Sequence, residues 1–171
     1  DGARLFNALV ARNQSPEQFG ELFDTISICL SKGLGAPVGS VLLGSKAEIH
    51  LGRRYRKVFG GGMRQAGSLA AAGLFALKNN VSRLQEDHTK AKEIESELLQ
   101  LKWVESVIPV HTNIVIFKPK SGFEDSTITE KLKSKGILIS SMGKGLLRMV
   151  THLDITESKQ RTIIKILRDL F

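Results

Sequence analysis

The chain has 171 residues, 42% of them hydrophobic and 6% aromatic, with one cysteine and a formal net charge of +8. That content supplies a core for one ordinary domain or parts of two, and excludes a disordered chain, a disulfide framework and a bilayer-spanning helix. The charge invites a nucleic-acid partner, with Arg53-Arg54-Tyr55-Arg56-Lys57 as its densest cluster, but basic and acidic residues are otherwise interspersed and aromatics are too few for a stacking platform, so none is expected. No basic-then-apolar leader opens the chain, so a soluble, cytoplasmic protein with no membrane partner is the expectation.

In chain order, Leu5, Phe6, Leu9 and Val10 are spaced as a helix over 4–11, and Ser15-Pro16-Glu17-Gln18 starts a short helix through Leu22, with proline at its first position. Thr25 to Leu30 is rich in β-branched and apolar residues, as expected of a buried parallel strand, with Cys29 a buried, inert thiol. Val41-Leu42-Leu43 reads as the next strand and 47–58 as a polar, basic helix. Small apolar residues from Gln65 to Lys78 predict a closely packed helix, and Asn79-Asn80 is the best internal boundary. A Glu/Lys-rich helix is expected over 81–101, strands over 106–109 and 113–117, a helix over 126–134 stopped by Gly136, strands over 137–140 and 147–151, and a last helix over 156–170. This divides the chain into residues 1–79, the end of a larger α/β domain with a mostly parallel sheet, and residues 80–171, a smaller α+β domain.

Lys32 is the first candidate for chemistry. It stands just past the C-terminal end of an expected strand, where open α/β sheets bind ligands, and enters Gly33-Leu34-Gly35-Ala36-Pro37-Val38-Gly39, backbone that can approach a ligand closely. A lysine so placed is expected to be partly desolvated, with a pKa below the ordinary value of about 10.4 and a nucleophilic neutral amine suited to Schiff-base chemistry. A solvated strand-end lysine is the alternative from this segment alone. Downstream, Lys57 and Arg64 flank Gly60-Gly61-Gly62, where converging N–H groups and two cations would suit a phosphate, or where a flexible turn simply follows a basic helix. Arg148, between Leu147 and Met149, is either a strand-edge arginine or a guanidinium in buried surroundings that needs an anionic partner. His50, His88, His111 and His152 lack metal-ligand spacing, so no metal is expected. His50 and His88 are expected as solvated helix residues. His152 follows Arg148 at i+4 on one expected strand and so shares its face. Ser31-Lys32 suggests a Ser-Lys hydrolase, but no oxyanion hole can be argued beside it.

Asp1-Gly2-Ala3-Arg4, Phe23 to Leu30 leading into Lys32, Gly60-Gly61-Gly62-Met63-Arg64-Gln65-Ala66-Gly67 and Leu147-Arg148-Met149-Val150-Thr151-His152 follow one another in the order and at about the spacing of the low-specificity threonine aldolase family. The chain resembles the second half of that family's members along essentially its whole length. The resemblance implies an α/β fold of the pyridoxal-phosphate fold type I class and aldol cleavage of L-threonine or L-allo-threonine to glycine and acetaldehyde. It implies pyridoxal 5'-phosphate as cofactor, held covalently by Lys32, with Asp1 facing the pyridine nitrogen and Arg4 and Arg148 binding the substrate carboxylate. It further implies that Lys57 and Arg64 lie near the cofactor phosphate or the substrate entrance, partly in a neighbouring subunit of a homotetramer. A carboxylate at the ring nitrogen keeps it protonated and makes the ring a better electron sink, and arginine's planar fork suits a carboxylate. The family's phosphate loop and ring-stacking histidine are not among these residues, which offer no convincing base for the β-hydroxyl; the resemblance implies that this role falls to residues or ordered water in the family's other half. A related β-eliminating lyase or aminotransferase, and a half subunit without activity of its own, are the alternatives.

Overall fold

In the computed structural model, which describes residues 1–171, the chain divides after Leu84 into two units. The first carries α1 (Leu5–Arg12), α2 (Pro16–Gly20), β1 (Thr25–Cys29), β2 (Ser40–Gly44), α3 (Lys46–Val58) and α4 (Gly67–Asn79). The expectation of a buried parallel strand over 25–30 is corrected: β1 pairs antiparallel with β2, Ile28 opposite Val41, and meets a parallel neighbour only at the isolated Gly2–Ile28 bridge. The reason is the short connection, residues 30–39. It can return the chain as a hairpin but cannot make the longer crossover that parallel neighbours require.

Ile28, Leu30, Leu34, Ala36, Ala76 and Leu84 form this unit's buried core, with Leu5, Phe6, Val10, Ile26, Leu77 and Val81 packed around them. Helix α4 approaches closely because of its small residues: a Cβ on Gly73 would stand 3.0 Å from Leu30 Cδ1. It starts at Gly67 rather than Gln65, whose φ of 54° is left-handed and cannot enter a helix. Helix α3 opens with a reciprocal capping box. Ser45 N donates to Glu48 Oε2 (2.7 Å) and Glu48 N donates to Ser45 Oγ (3.3 Å); the Ser45 backbone N–H, then its side chain, hold the Glu48 carboxyl below its ordinary pKa. Val41, Leu42, Leu43, Tyr55, Val58 and Phe59 are exposed on β2, α3 and the residue that follows α3.

The second unit carries α5 (Leu84–Leu98), β3 (Val104–Ile108), β4 (Ile114–Pro119), α6 (Asp125–Ser134), β5 (Ser140–Gly143), β6 (Leu146–Val150) and α7 (Glu157–Arg168). Its sheet runs β3-β4-β6-β5, antiparallel throughout. Strand alternation sends Val115 and Phe117 of β4 and Leu147 and Met149 of β6 into one core with Ile94 and Leu98 of α5, Ile128 and Leu132 of α6 and Leu167 of α7. The helices therefore cover one face, and Ile114, Ile116, Arg148 and Val150 belong to the other. The strand expected over 137–140 instead begins at Ser140 and turns through Gly143, Lys144 and Gly145, all at positive φ, into β6. A bidentate pair ties α5 to α7: Arg168 Nε and Nη2 donate to Glu97 Oε1 and Oε2 at 2.7 and 2.6 Å. The pairing lowers the pKa of Glu97, whose carboxylate is buried, and raises that of the more exposed Arg168.

His88, expected to be solvated, is 3% exposed. Its place on α5 explains this, because Leu84, His88, Ala91 and Leu98 follow helical spacing and all point inward. Burial lowers its pKa, against the opposing pull of neighbouring Asp87. The native state therefore resists a proton that the unfolded chain accepts at about pH 6.5, so stability falls as pH drops through that value and is fully retained above it. Melting curves at about pH 7.5 and about pH 5.5 are expected to show a drop in Tm that His88→Gln reduces; equal drops in both proteins would remove His88 as the cause.

Candidate active site

The loop from Leu30 to Gly39 holds its shape through its own backbone. Leu30 N donates to Gly39 O (3.0 Å), Ala36 N to Leu30 O (3.0 Å), and Gly35 N to Lys32 O (2.9 Å), which closes a tight turn at the lysine. Leu34 and Ala36 point into the core. Gly33 is packed where a Cβ would stand 3.1 Å from both Asn7 Nδ2 and Leu84 Cδ2, so a larger residue would push the turn away from α1. Gly35 and Gly39, at φ 73° and 116°, take conformations that glycine adopts without strain. The loop is thus anchored on both sides of Lys32, whose own side chain is exposed. The expected partial desolvation of Lys32 is not found within this chain, because its neighbours Ser31 and Gly35 are exposed as well.

The segment Asp1–Arg4 lies beside β1. Gly2 N donates to Ser27 O (2.6 Å), and a Cβ on Gly2 would meet that oxygen at 2.8 Å, so only glycine allows the approach. The Gly2–Ile28 bridge runs parallel, which carries Arg4 toward the end of β1 from which Lys32 emerges. Asp1 is exposed and Arg4 half-buried. Arg4 occupies the N-cap of α1 without a capping bond. A cation at this end opposes the helix dipole, a departure from local preference of the kind found where a residue serves something other than its helix. Cys29, expected to be buried and inert, is half-buried, with Sγ 3.4 Å from Ser31 Oγ; that contact lowers its pKa.

The glycine turn after α3 behaves differently from a phosphate cradle. Gly60 N donates to Lys57 O (3.1 Å) and Gly61 N to Arg56 O (2.8 Å), so both N–H groups are engaged in ending the helix. Lys57 and Arg64 are exposed at either end of this turn, with the Lys57 stem lying against Gly62. Any anion held here would be held by the two side chains.

In the second unit Arg148 sits in an interior strand, opposite Ile116 of β4 and Ser140 of β5. It is half-buried, and its Nε is buried without a hydrogen-bond partner. A guanidinium nitrogen in that condition costs stability until an acceptor arrives, and a carboxylate is the acceptor its fork fits. His152 does not share the strand face of Arg148: β6 ends at Val150, and the imidazole Nδ1 lies 3.4 Å from Asp154 Oδ2 in the following turn. Sequence reasoning passed over Thr151, which is 2% exposed. Its Oγ1 donates to Asp87 O (2.6 Å), its N to Asn113 O (3.0 Å), and Asn113 Nδ2 donates to Thr151 O (2.8 Å). This network locks the end of β6 to β4 and α5. A threonine just after an apolar strand was the available signal.

A model of the beta-eliminating lyase family matches residues 1–121. The chain belongs to that family. It is 43% identical over 160 residues to the low specificity L-threonine aldolase of Escherichia coli O157:H7, covering 93% of this chain and 46% of that protein. It is 42% identical over 161 residues to low-specificity L-threonine aldolase 1 of Arabidopsis thaliana, covering 92% and 45%. This beta-eliminating lyase chain also superposes in full on 51% of a solved structure from Listeria monocytogenes assigned as an L-allo-threonine aldolase, at TM-score 0.76 and 18% identity. That likeness carries the fold, the α/β architecture of fold type I. The chain spans about half the length of the curated relatives it matches.

Proposed function

We propose that this chain is the lysine-bearing part of a pyridoxal-phosphate-dependent aldolase that cleaves L-threonine or L-allo-threonine into glycine and acetaldehyde. The observation that carries the reading is Lys32 on a loop locked by its own backbone at the end of β1, with Asp1–Arg4 bridged alongside. The names of the relatives point the same way. The residues suit the cofactor: an exposed amine for its carbonyl carbon, an exposed carboxylate for its ring nitrogen and two exposed cations for its phosphate. Bound, pyridoxal phosphate supplies an electron sink for the pair left on Cα when Cα–Cβ breaks. Lys32 Nζ would hold the cofactor at its carbonyl carbon. The Asp1 carboxylate keeps a proton on the ring nitrogen, Arg4 and Arg148 grip the α-carboxylate and so set which Cα bond is broken, and Lys57 and Arg64 bind phosphate.

A homotetramer in which Lys57 and Arg64 serve a neighbouring subunit's site belongs to the same proposal, as does a cytoplasmic location. No helix here is long and apolar enough to cross a membrane. The family model favours one second reading, a β-eliminating lyase using the same lysine, aspartate and arginines.

Incubating the full-length protein with pyridoxal phosphate, reducing it with borohydride and mapping the modified lysine by mass spectrometry tests the reading, alongside an aldehyde assay with threonine. Label on Lys32 with acetaldehyde and glycine released is the expected result. Label on Lys32 with ammonia and an oxo acid instead would favour the second reading, and label elsewhere would overturn both.

A further inference from the structure

Asn80 is the C-cap of α4, and its side chain leaves the helix: Nδ2 donates to Leu34 O at 2.7 Å, across 46 positions of sequence. Asn79, the residue before it, makes the opposite choice and returns Nδ2 to Phe75 O of its own helix at 2.8 Å. The contrast separates an asparagine that merely ends a helix from one that reaches another element. The element it reaches is the turn closed by Gly35 N on Lys32 O, and the carbonyl it binds belongs to Leu34, which is 3% exposed. An acceptor there, deprived of its donor, is left unsatisfied and drives the turn to rearrange. The amide orientation is fixed by chemistry as well, since a carbonyl can be met only by the NH2 end. Leu84, fully buried a little further along the same segment, packs against Gly33 on the other side of the lysine.

We propose that Asn80 is a positioning residue for Lys32: its amide pins the Leu34 carbonyl and thereby fixes where the lysine amine stands. The inference rests on the reading of Lys32 as the cofactor lysine. Bond formation between an amine and a carbonyl carbon requires a near-attack geometry, and a displacement of the order of 1 Å costs up to about a hundredfold in rate. The backbone bonds at the stem of the loop, Leu30 N to Gly39 O and Ala36 N to Leu30 O, do not involve Asn80 and keep the loop in place when it is changed. Loss of Asn80 therefore loosens the tip, and the lysine with it, and not the fold.

The experiment compares full-length wild-type protein with Asn80→Asp, which keeps the shape and removes the donor, with Asn80→Gln, which keeps an amide, and with Asn79→Ala. Two quantities are read: the rate of borohydride trapping of pyridoxal phosphate on Lys32, and hydrogen exchange at the Gly35 N–H. Asn80→Asp is expected to slow trapping about tenfold and to speed Gly35 exchange by a similar factor, with Asn80→Gln closer to wild type and Asn79→Ala equal to it. Trapping at the wild-type rate in Asn80→Asp would overturn the inference, as would an equal loss in Asn79→Ala. A wild-type protein that traps nothing on Lys32 would instead sink the functional reading, and Gly35 exchange unchanged in Asn80→Asp would then overturn the pinning of the turn by itself.

Discussion

Lys32→Ala in the full-length protein is expected to abolish covalent retention of pyridoxal phosphate and to lower threonine cleavage by on the order of a thousandfold or more, with Tm unchanged. The two halves of that statement have separate causes. Lys32 is exposed, and the turn that carries it is closed through its backbone oxygen, so deleting the side chain removes no packing and breaks none of the loop's bonds. Surface substitutions of this kind typically change stability by less than about 0.5 kcal/mol. The chemistry, in contrast, depends on an amine. Lys32→Arg therefore serves as the stricter variant, because a guanidinium keeps the charge but stays protonated and cannot form the bond. Aldehyde release, borohydride labelling and a melting curve together decide the matter. A Lys32→Arg protein that still held the cofactor covalently would remove Lys32 from the site.

Arg148→Met is expected to cost about 2–5 kcal/mol in kcat/KM for threonine, on the order of 30- to 4,000-fold, and not to lower Tm. Activity falls because a carboxylate clamp disappears; KM bears much of the loss, and amines without an α-carboxylate are hardly affected. Stability holds because methionine removes a buried nitrogen that has no partner and leaves an apolar chain of comparable length among half-buried residues of the same sheet face, Ile116 and Val150. Arg148→Lys retains the charge without the fork and should recover only part of the activity. Kinetics with threonine beside a decarboxylated analogue make the distinction. Equal losses on both substrates would mean that Arg148 acts through the fold and not through the carboxylate.

Much of this was legible in the residues. Ser15-Pro16 and the small-residue stripe after Gln65 each announced a helix near where one stands. Apolar alternation around Arg148 put it between two buried neighbours, Leu147 and Met149. The Gly/Pro-rich run after a β-branched segment marked the Lys32 loop, because glycine accepts without strain the positive φ values that Gly35 and Gly39 adopt. His88 was misjudged because its polarity was weighed above its helical phase. The Gly60–Gly62 turn carried two readings in the sequence because glycines that suit an anion cradle also suit a helix C-terminus, and the N–H groups at Gly60 and Gly61 are engaged in ending α3.

The order of strands and helices, the candidate residues and the family followed from the sequence alone, since helix and strand periods and turn chemistry are set by neighbours a few positions apart. The antiparallel return of β2 was implicit in the length of its connection, although the composition of β1 spoke for a parallel sheet. The bond from Asn80 to Leu34, the lock of Thr151 on Asp87 and Asn113, and the unpartnered Nε of Arg148 come only with the folded chain. Each depends on side chains meeting backbone across tens of residues, and no local pattern encodes which carbonyl a given amide will reach once the core has closed.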